Sequence, residues 1–438
     1  MNALRVFCAV VALSAGASVL VAEQGMTADP FREIALRYVK LVLAVGQHDA
    51  DFVDAYYGGE ALKKEAEASK APLITLAAEA VALERDIAKA ALPEWKDDAE
   101  LWRLRKQYLQ RQSAAVTARI GMLQGKTLWF DEESRALYDA VAPTHTEAEF
   151  AAIIAKLEAR LPGTGPLIAR YDTFKSDFII PKERVDPVFQ AAIRVCRDRT
   201  RQYVELPPGE SFTVEYVTGK SWSGYNWYQG NFRSLIQVNT DLPIYIDRAV
   251  DLACHEGYPG HHVYNVLLEK HLVRDRGWPE FTVYALFSPQ SLIAEGTANY
   301  GIEVTFTRDE RIAFERDVLF PLANISASRA KEYYEAMELV DQLSYAGNEA
   351  ARRYLNGQID AQAAAEWLEK YAMMPRARAE QRVKFFDQYR SYVINYNLGK
   401  DLVKAFVERR AGNDKSPRRQ WTEFTQLLSS PRLPSGLK

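Results

Sequence analysis

The sequence predicts a mainly α-helical protein with one small β-sheet, and three observations support this fold class. From about residue 27 to 200, apolar residues recur at helical spacing in long segments such as PFREIALRYVKLVLAVGQ. Between residues 212 and 246, β-branched and aromatic residues with interspersed glycines indicate two or three short strands. From Asp247 to the C-terminus the pattern is helical again. At 438 residues, the chain is long enough to bury a large core.

Residues 1–22 are predicted to form a signal peptide. A single arginine precedes an apolar run that ends in small residues, which favours cleavage near Ala17 or Ala22 and export to the periplasm or the medium. The alternative is an N-terminal membrane anchor, since the apolar run is near the lower limit for spanning a bilayer. No later segment is long and apolar enough to span one, so the mature protein is not expected to insert stably into a membrane.

Residues 23–205 are predicted to form a helical scaffold. The loop sequence ELPPGES at 205–211 marks the best boundary, and residues 206–438 form the catalytic region, in one continuous domain with the scaffold. Charged residues of the scaffold fall between its apolar positions, as they do on solvated helix faces. The formal net charge of -3 gives no electrostatic reason to bind nucleic acid.

The aromatic segment SWSGYNWY at 221–228 belongs to the predicted sheet. We interpret it as a packed strand next to a cleft, whose backbone could pair with an extended peptide. A platform for stacking nucleic-acid bases is the alternative, but the segment lacks the basic surroundings that such platforms have.

Most of the candidate catalytic and metal-binding residues lie in the segment HEGYPGHH at 255–262. The whole chain has 6 histidines, and three of them lie in this segment beside Glu256. A catalytic zinc site takes three protein ligands, such as imidazoles and a carboxylate, and keeps a fourth position for water. A histidine followed directly by a glutamate on a helix supplies one ligand, His255, and a general base, Glu256.

Pro259 alters the helix inside this segment. In the usual zinc-peptidase pattern the second histidine stands four residues after the first, and here that position is proline. Proline lacks the N–H that would bond the carbonyl of residue 255, so the helix must kink or bulge. At about 100° per residue, an undistorted helix would bring His262 to the face of His255, whereas a bulge would bring His261. Both are candidates for the second ligand.

Glu295 is the candidate for the third ligand. It lies in a predominantly apolar helical segment, where an unpaired carboxylate is costly to bury and calls for a metal or an ionic partner. Gly296 would permit the close approach of a neighbouring backbone. The alternative is an ordinary glutamate on a solvated helix face. Asn299 could hydrogen-bond the site, and Glu303 is a weaker substitute ligand.

Two elements, HEGYPGHH and EGTANY at 295–300, resemble a bacterial family of zinc peptidases called domain of unknown function 885, which is marked by HExxPGHH and EGxAxY. The resemblance covers about residues 200–400. More distantly, the arrangement is similar to helical oligopeptidases and Taq-type carboxypeptidases, whose HExGH motif has glycine before the second ligand. These resemblances imply a helical zincin-like domain with zinc on His255, His261 and Glu295.

Three further residues are candidates for contacts with the substrate or the transition state. The family often carries a Gln-x-x-Ser-Tyr-like element, and DQLSY at 341–345 resembles it, which implies Tyr345 as a donor to the developing oxyanion. Arg390 is a candidate clamp for a substrate carboxylate, and Tyr396 is a second candidate for substrate binding. A packing role is the alternative for any one of the 23 tyrosines.

The sequence as a whole predicts an exported zinc metallopeptidase that acts on a peptide or a small amide. A metal-dependent hydrolase of a non-peptide amide or ester is one alternative, because scaffold and metal are shared by many reactions. An exported, inactive peptidase-like binding protein is the other, and the intact Glu256 beside His255 argues against it.

Overall fold

A computed structural model describes residues 29–93, 98–220 and 222–438. These residues are mainly α-helical and contain two small sheets, which confirms the predicted fold class. Within the described residues, every helix is too short or too polar to span a membrane. The predicted signal peptide lies outside the described residues.

The α-helices of the described residues run consecutively along the chain. Their bounds are α1 (Arg32–Val45), α2 (Glu60–Ser69), α3 (Leu73–Lys89), α4 (Ala99–Leu123), α5 (Phe130–Tyr138), α6 (Glu147–Arg160), α7 (Leu167–Ser176), α8 (Val185–Arg201), α9 (Asp247–Leu252), α10 (His261–Leu268), α11 (Pro289–Thr305), α12 (Arg308–Phe314), α13 (Phe320–Leu322), α14 (Ala330–Asp341), α15 (Ala346–Leu355), α16 (Ala361–Tyr371), α17 (Arg376–Tyr389), α18 (Ile394–Ala411) and α19 (Pro417–Leu428). Short π-helical and 3-10 segments extend several of them, including the π-helical turn Ala253–Gly257 that continues α9.

The predicted strands form a three-stranded sheet directly before the histidine segment. These strands are β2 (Ser211–Val217), β3 (Gly224–Gly230) and β4 (Arg233–Asn239), in the order β2-β4-β3. The central strand β4 pairs in parallel with β2 and antiparallel with β3. Strand β3 therefore stands at an edge of this sheet.

A second, two-stranded sheet joins the N-terminal scaffold to the C-terminal region. It pairs β1 (Val53–Tyr56) antiparallel with β5 (Val283–Ala285), and the sequence pattern did not predict either strand. Close by, the buried Arg105 of α4 donates from Nε to Oε1 of the buried Glu280 at 2.5 Å. A buried ion pair of this kind is costly to break, so it fixes the two regions against each other.

Helix α11, which carries Glu295, is buried on nearly all sides. Its closest neighbour is α18, and the two backbones cross at Gly296 and Gly399. A Cβ atom at Gly296 would stand 2.5 Å from the carbonyl carbon of Gly399, so any side chain there would push the helices apart. The predicted close approach at Gly296 is confirmed, and it fixes the position of Glu295.

Candidate metal centre

The helix that carries His255 is interrupted at the proline. After α9, the chain makes a π-helical turn in which the Tyr258 N–H donates to the carbonyl of Ala253 at 3.1 Å. The Gly260 N–H then donates to the carbonyl of Cys254 at 2.9 Å, and a new helix begins at His261. The distortion forced by Pro259 is thus a wide turn followed by a restart.

This interruption brings His255 and His261 to the same point as Glu295. The two Nε2 atoms are 3.1 Å apart, and Oε2 of Glu295 lies 3.3 Å from Nε2 of His255 and 3.8 Å from Nε2 of His261. A tetrahedral zinc with bonds of about 2.0–2.1 Å separates its ligand atoms by about 3.3 Å. The three side chains therefore already have nearly the spacing of a zinc site.

His262, the alternative second ligand, points to the opposite side of the helix and is fully buried. Its Nδ1 lies 2.9 Å from the hydroxyl of Ser234, and its Nε2 lies 3.1 Å from Oε2 of Glu210. Glu210 also accepts hydrogen bonds from Tyr258 and Arg197. Both ring nitrogens of His262 are engaged in this network, which ties α10 to the sheet and to the loop at 205–211.

Neighbouring side chains orient the ligands. Oδ1 of Asn299 lies 3.1 Å from Nδ1 of His255, while Nδ2 of Asn299 donates to the carbonyl of Tyr396 at 3.2 Å. The hydroxyl of Tyr392 donates to Oε1 of Glu295 at 2.8 Å. The predicted hydrogen-bonding role of Asn299 agrees with this geometry, because such partners fix the ring orientation of a metal-binding histidine.

The protonation states of His261 and Glu295 suit a metal. Burial lowers the pKa of His255, but Glu295 and Glu256 more than offset this and leave it above the usual value, so a bound cation would displace a proton from His255. Burial lowers the pKa of His261 to about 4, so its imidazole is neutral near pH 7 and able to bind a cation. Burial raises the pKa of Glu295, but His255, His261 and Tyr392 more than offset this, and the net pKa is below the usual value. The second carboxylate oxygen of Glu295, Oε2, is buried without a hydrogen-bond partner among the described residues. A buried, ionised oxygen whose nearest polar neighbours are the Nε2 atoms of two histidines suits a shared cation, and the donor set of two imidazoles and one carboxylate fits zinc.

Glu256 lies beside this triad and lines the same cavity. Burial and the charge of Glu295 raise the pKa of Glu256 to about 7, while His255 acts in the opposite direction. The backbone of this turn is fixed by Asn226, whose Nδ2 donates to the Glu256 carbonyl at 2.7 Å. A carboxyl group with a pKa near neutrality is able both to accept and to return a proton.

Gly224 on β3 provides the space for the Glu256 carboxylate. A Cβ atom at residue 224 would stand 2.7 Å from Oε1 of Glu256 and 2.9 Å from a methyl group of Leu252. Gly224→Ala is therefore expected to displace the carboxylate while leaving the three metal ligands in place. Because a misplacement of about 1 Å can cost about 100-fold in rate, we expect hydrolysis to fall by about 10- to 100-fold.

The measurement for Gly224→Ala is the initial rate at constant zinc content. Gly347→Ala is the matched control, since a Cβ atom at residue 347 meets no atom within 4 Å. A Gly224→Ala protein with the wild-type rate would show that this glycine does not position Glu256.

The triad and Glu256 open into a cavity of about 1090 Å³. Its walls come from both predicted regions and include Asp54 of β1, residues 222–227 at the start of β3, and residues of α11, α17 and α18. Burial raises the pKa of Asp54 to about 7, and its carboxyl group accepts a hydrogen bond from the hydroxyl of Tyr225. No sequence pattern singled out Asp54.

Two other cavity residues were missed by the sequence analysis, Tyr392 and Arg382. The tyrosine stands four residues before the predicted Tyr396, which also lines the cavity. Residues four apart share a helix face, so this spacing was a usable signal for Tyr392. Arg382 has no such signal.

Two of the predicted site residues lie elsewhere. The hydroxyl of Tyr345 donates to Oδ2 of Asp401 at 2.6 Å, and Nε of Arg390 donates to Oε2 of Glu133 at 2.7 Å. Neither residue is among the described residues that line the cavity. The roles predicted for them, oxyanion donor and carboxylate clamp, do not fit this placement.

Glu303, the predicted substitute ligand, lines the cavity but does not join the triad. Its two carboxylate oxygens accept from Lys400 at 3.0 Å and from Lys404 at 2.7 Å. Because both oxygens are already paired with cations, Glu303 does not need a metal.

Comparison with known proteins shows a similarity of fold to a solved structure. No family model matches the sequence, and no curated protein matches it. Among solved structures, the fold is similar to that of a "putative lipoprotein" from Colwellia psychrerythraea, with a TM-score of 0.50 and 14% sequence identity. The match covers 83% of this chain and 65% of that chain, so this chain spans less than two thirds of the length of its structural neighbour.

Proposed function

We propose that the protein is a zinc-dependent hydrolase of peptides. The observation that carries this proposal is the convergence of His255, His261 and Glu295, whose candidate ligand atoms all lie within 4.8 Å of one another, beside Glu256. Resemblance to the peptidases of domain of unknown function 885 supports the same assignment through the residues of the two motifs.

Each residue of the centre has a distinct role in the proposed reaction. His255, His261 and Glu295 would hold the zinc, with Asn299 and Tyr392 orienting the first and the third. When bound, zinc supplies Lewis-acid chemistry, which lowers the pKa of a coordinated water and polarises a carbonyl group. Glu256 accepts a proton from the attacking water and delivers it to the nitrogen of the leaving amine.

The cavity favours a peptide over a smaller amide or ester. Among the described strands, β3 pairs only with β4, and residues 222–227, which include its first half, line the cavity. An edge strand offers backbone donors and acceptors with which an extended peptide can pair. A hydrolase of a non-peptide amide or ester would use the same triad but would have no use for this edge.

Export is part of the proposal and rests on the pattern of residues 1–22. N-terminal sequencing of the mature protein is expected to return a start near residue 18 or 23.

Metal analysis and peptide cleavage test the proposed function together. Purified protein is expected to hold about one zinc per chain and to cleave a mixed peptide library, read by mass spectrometry. Removal of the metal with a chelator should abolish cleavage, and added zinc should restore it. His271→Ala is the control for zinc content, since His271 stands outside the triad and close to Asp275. Zinc-loaded protein that cleaves no peptide would refute peptide hydrolysis, and failure to retain any transition metal would refute the metal centre.

A further inference from the structure

Among the described residues, five cationic side chains other than histidines line the cavity, and four of them have carboxylate partners. Arg248 and Arg311 pair with Asp251 at 3.0 and 2.8 Å, Lys400 pairs with Glu303 at 3.0 Å, and Arg308 pairs with Glu338. The fifth, Arg382 on α17, forms no hydrogen bond or ion pair with any residue of the described ranges.

The surroundings of Arg382 are aromatic. Its guanidinium carbon stands 4.4 Å from the ring centre of Phe385, 5.6 Å from that of Tyr396 and 5.8 Å from that of Phe386. Its Nε atom is buried without a partner, and burial lowers the pKa of the guanidinium. Stacking on rings compensates part of the cost of burying a cation, but it leaves the N–H donors of the planar fork unused.

Arg382 lines the same cavity as the metal centre. Tyr396, one of the rings beside the guanidinium, has its ring centre 5.8 Å from that of Tyr392, and the hydroxyl of Tyr392 bonds Glu295 at 2.8 Å. Two aromatic rings thus separate Arg382 from the third ligand. An extended peptide rises by about 3.3 Å per residue, so a few residues of substrate are enough to pass the two rings between Arg382 and Glu295.

We propose that Arg382 binds the C-terminal carboxylate of a peptide substrate, so that cleavage falls within a few residues of the C-terminal end. A guanidinium binds a carboxylate through two parallel N–H···O bonds, and a free peptide terminus supplies that anion where the chain ends. This inference takes its hydrolytic step from the proposed zinc peptidase. It gives to Arg382 the role of carboxylate clamp that the sequence had suggested for Arg390.

A binding experiment tests the carboxylate site without turnover. The full-length chain carrying Glu256→Gln is titrated calorimetrically with N-acetyl-Ala-Phe, with its C-terminal carboxamide, and with N-acetyl-Ala-Glu amide, each with and without zinc. The free acid is expected to bind about 30-fold more tightly than the carboxamide, because loss of one partner from a buried charge pair costs at least about that factor. The amidated peptide tests whether an acidic side chain can replace the terminal carboxylate, and it is expected to bind like the carboxamide.

Substitutions then assign the preference to one residue. Arg382→Gln is expected to abolish the preference for the free acid, Arg382→Lys to retain part of it, and Arg308→Gln, the control at a paired cavity cation, to leave it unchanged. If Arg382→Gln does not fold, as judged by circular dichroism, Arg382→Lys provides the test, because its preference for the free acid over the carboxamide is expected to be reduced. If the Glu256→Gln protein with Arg382 intact bound the free acid and the carboxamide equally, or if the preference survived loss of the Arg382 guanidinium, the assignment would be overturned.

Hydrolysis of the paired peptides separates this inference from the proposed function. Peptides with a free C-terminus are expected to be cleaved near that end, with kcat/KM at least about 30-fold above that of their carboxamides. Equal cleavage of both forms would leave a peptidase standing and overturn the role of Arg382. Absence of cleavage together with an Arg382-dependent binding preference would refute the hydrolase and leave the carboxylate site intact.

Discussion

Replacement of Glu256 by glutamine is expected to leave zinc bound and to lower the rate of peptide hydrolysis by about 10²–10⁴-fold, the usual contribution of a general base. Glutamine keeps the size of the side chain but cannot accept a proton. Because Glu256 is buried beside Gly224 and is not part of the triad, the substitution changes neither the ligand atoms nor the packing. The measurements are zinc content by mass spectrometry, melting temperature, and kcat on a peptide that the wild-type protein cleaves.

Glu338→Gln is the matched control for this variant. Glu338 is another glutamate at the cavity wall, but it pairs with Arg308, so its loss is expected to change kcat by less than about 10-fold. Full activity of the Glu256→Gln protein would contradict the proposed mechanism, whatever its zinc content. Loss of zinc in the same variant would mean that Glu256 helps to hold the metal.

The fold class and the residues of the candidate centre were predictable because their signals are local. Each of these signals lies within a short window of sequence. They are the helical periodicity, the β-branched and aromatic composition of residues 212–246, and the histidine followed by glutamate. Glu295 was also visible locally, as a carboxylate in an otherwise apolar helix. These features depend on neighbours within a few turns, which the sequence itself supplies.

Features that depend on distant partners were not predictable in this way. Asp54 reaches the cavity because β1 pairs with β5, more than two hundred residues later in the chain. Arg382 lies within α17, whereas Arg390 directly follows the last residue of that helix and forms an ion pair with Glu133, 257 residues away. A long-range contact leaves no trace in local periodicity, so the sequence could not show that Arg390 pairs with Glu133 away from the described lining of the cavity.

The identity of the second histidine of the candidate centre was only partly predictable from the sequence. Pro259 predicted a distortion and narrowed the ligand to His261 or His262, but the size of the distortion is set by tertiary contacts. The π-helical turn before the proline and the hydrogen bond from His262 to Glu210 together decide which ring faces Glu295. Glu210 lies in the loop that the sequence marked as a boundary, with no sign of its role as a partner for His262.

Substitution of each of these two histidines is therefore expected to give opposite results. His261→Ala removes one of three ligands and should weaken zinc binding by more than about 100-fold, since changes to residues that merely orient ligands already cost about 10–100-fold. The apo protein should stay folded, because His261 is only partly buried and is bordered by the open cavity. His262→Ala should retain zinc to within about 10-fold, because the ring points away from the triad.

The free energy of unfolding is expected to change in the opposite order, with His262→Ala affected more than His261→Ala. His262 is fully buried between Ser234 and Glu210, and its removal leaves a void and takes one donor from a buried carboxylate. We expect its free energy of unfolding to fall by about 1–3 kcal/mol, measured by urea denaturation of the zinc-free proteins so that metal binding does not contribute. His261→Ala is expected to change this value by less than about 1 kcal/mol. If instead His262→Ala lost the metal and His261→Ala kept it, the ring that faces Glu295 would be His262, and the turn around Pro259 would have to follow a different path from the one described.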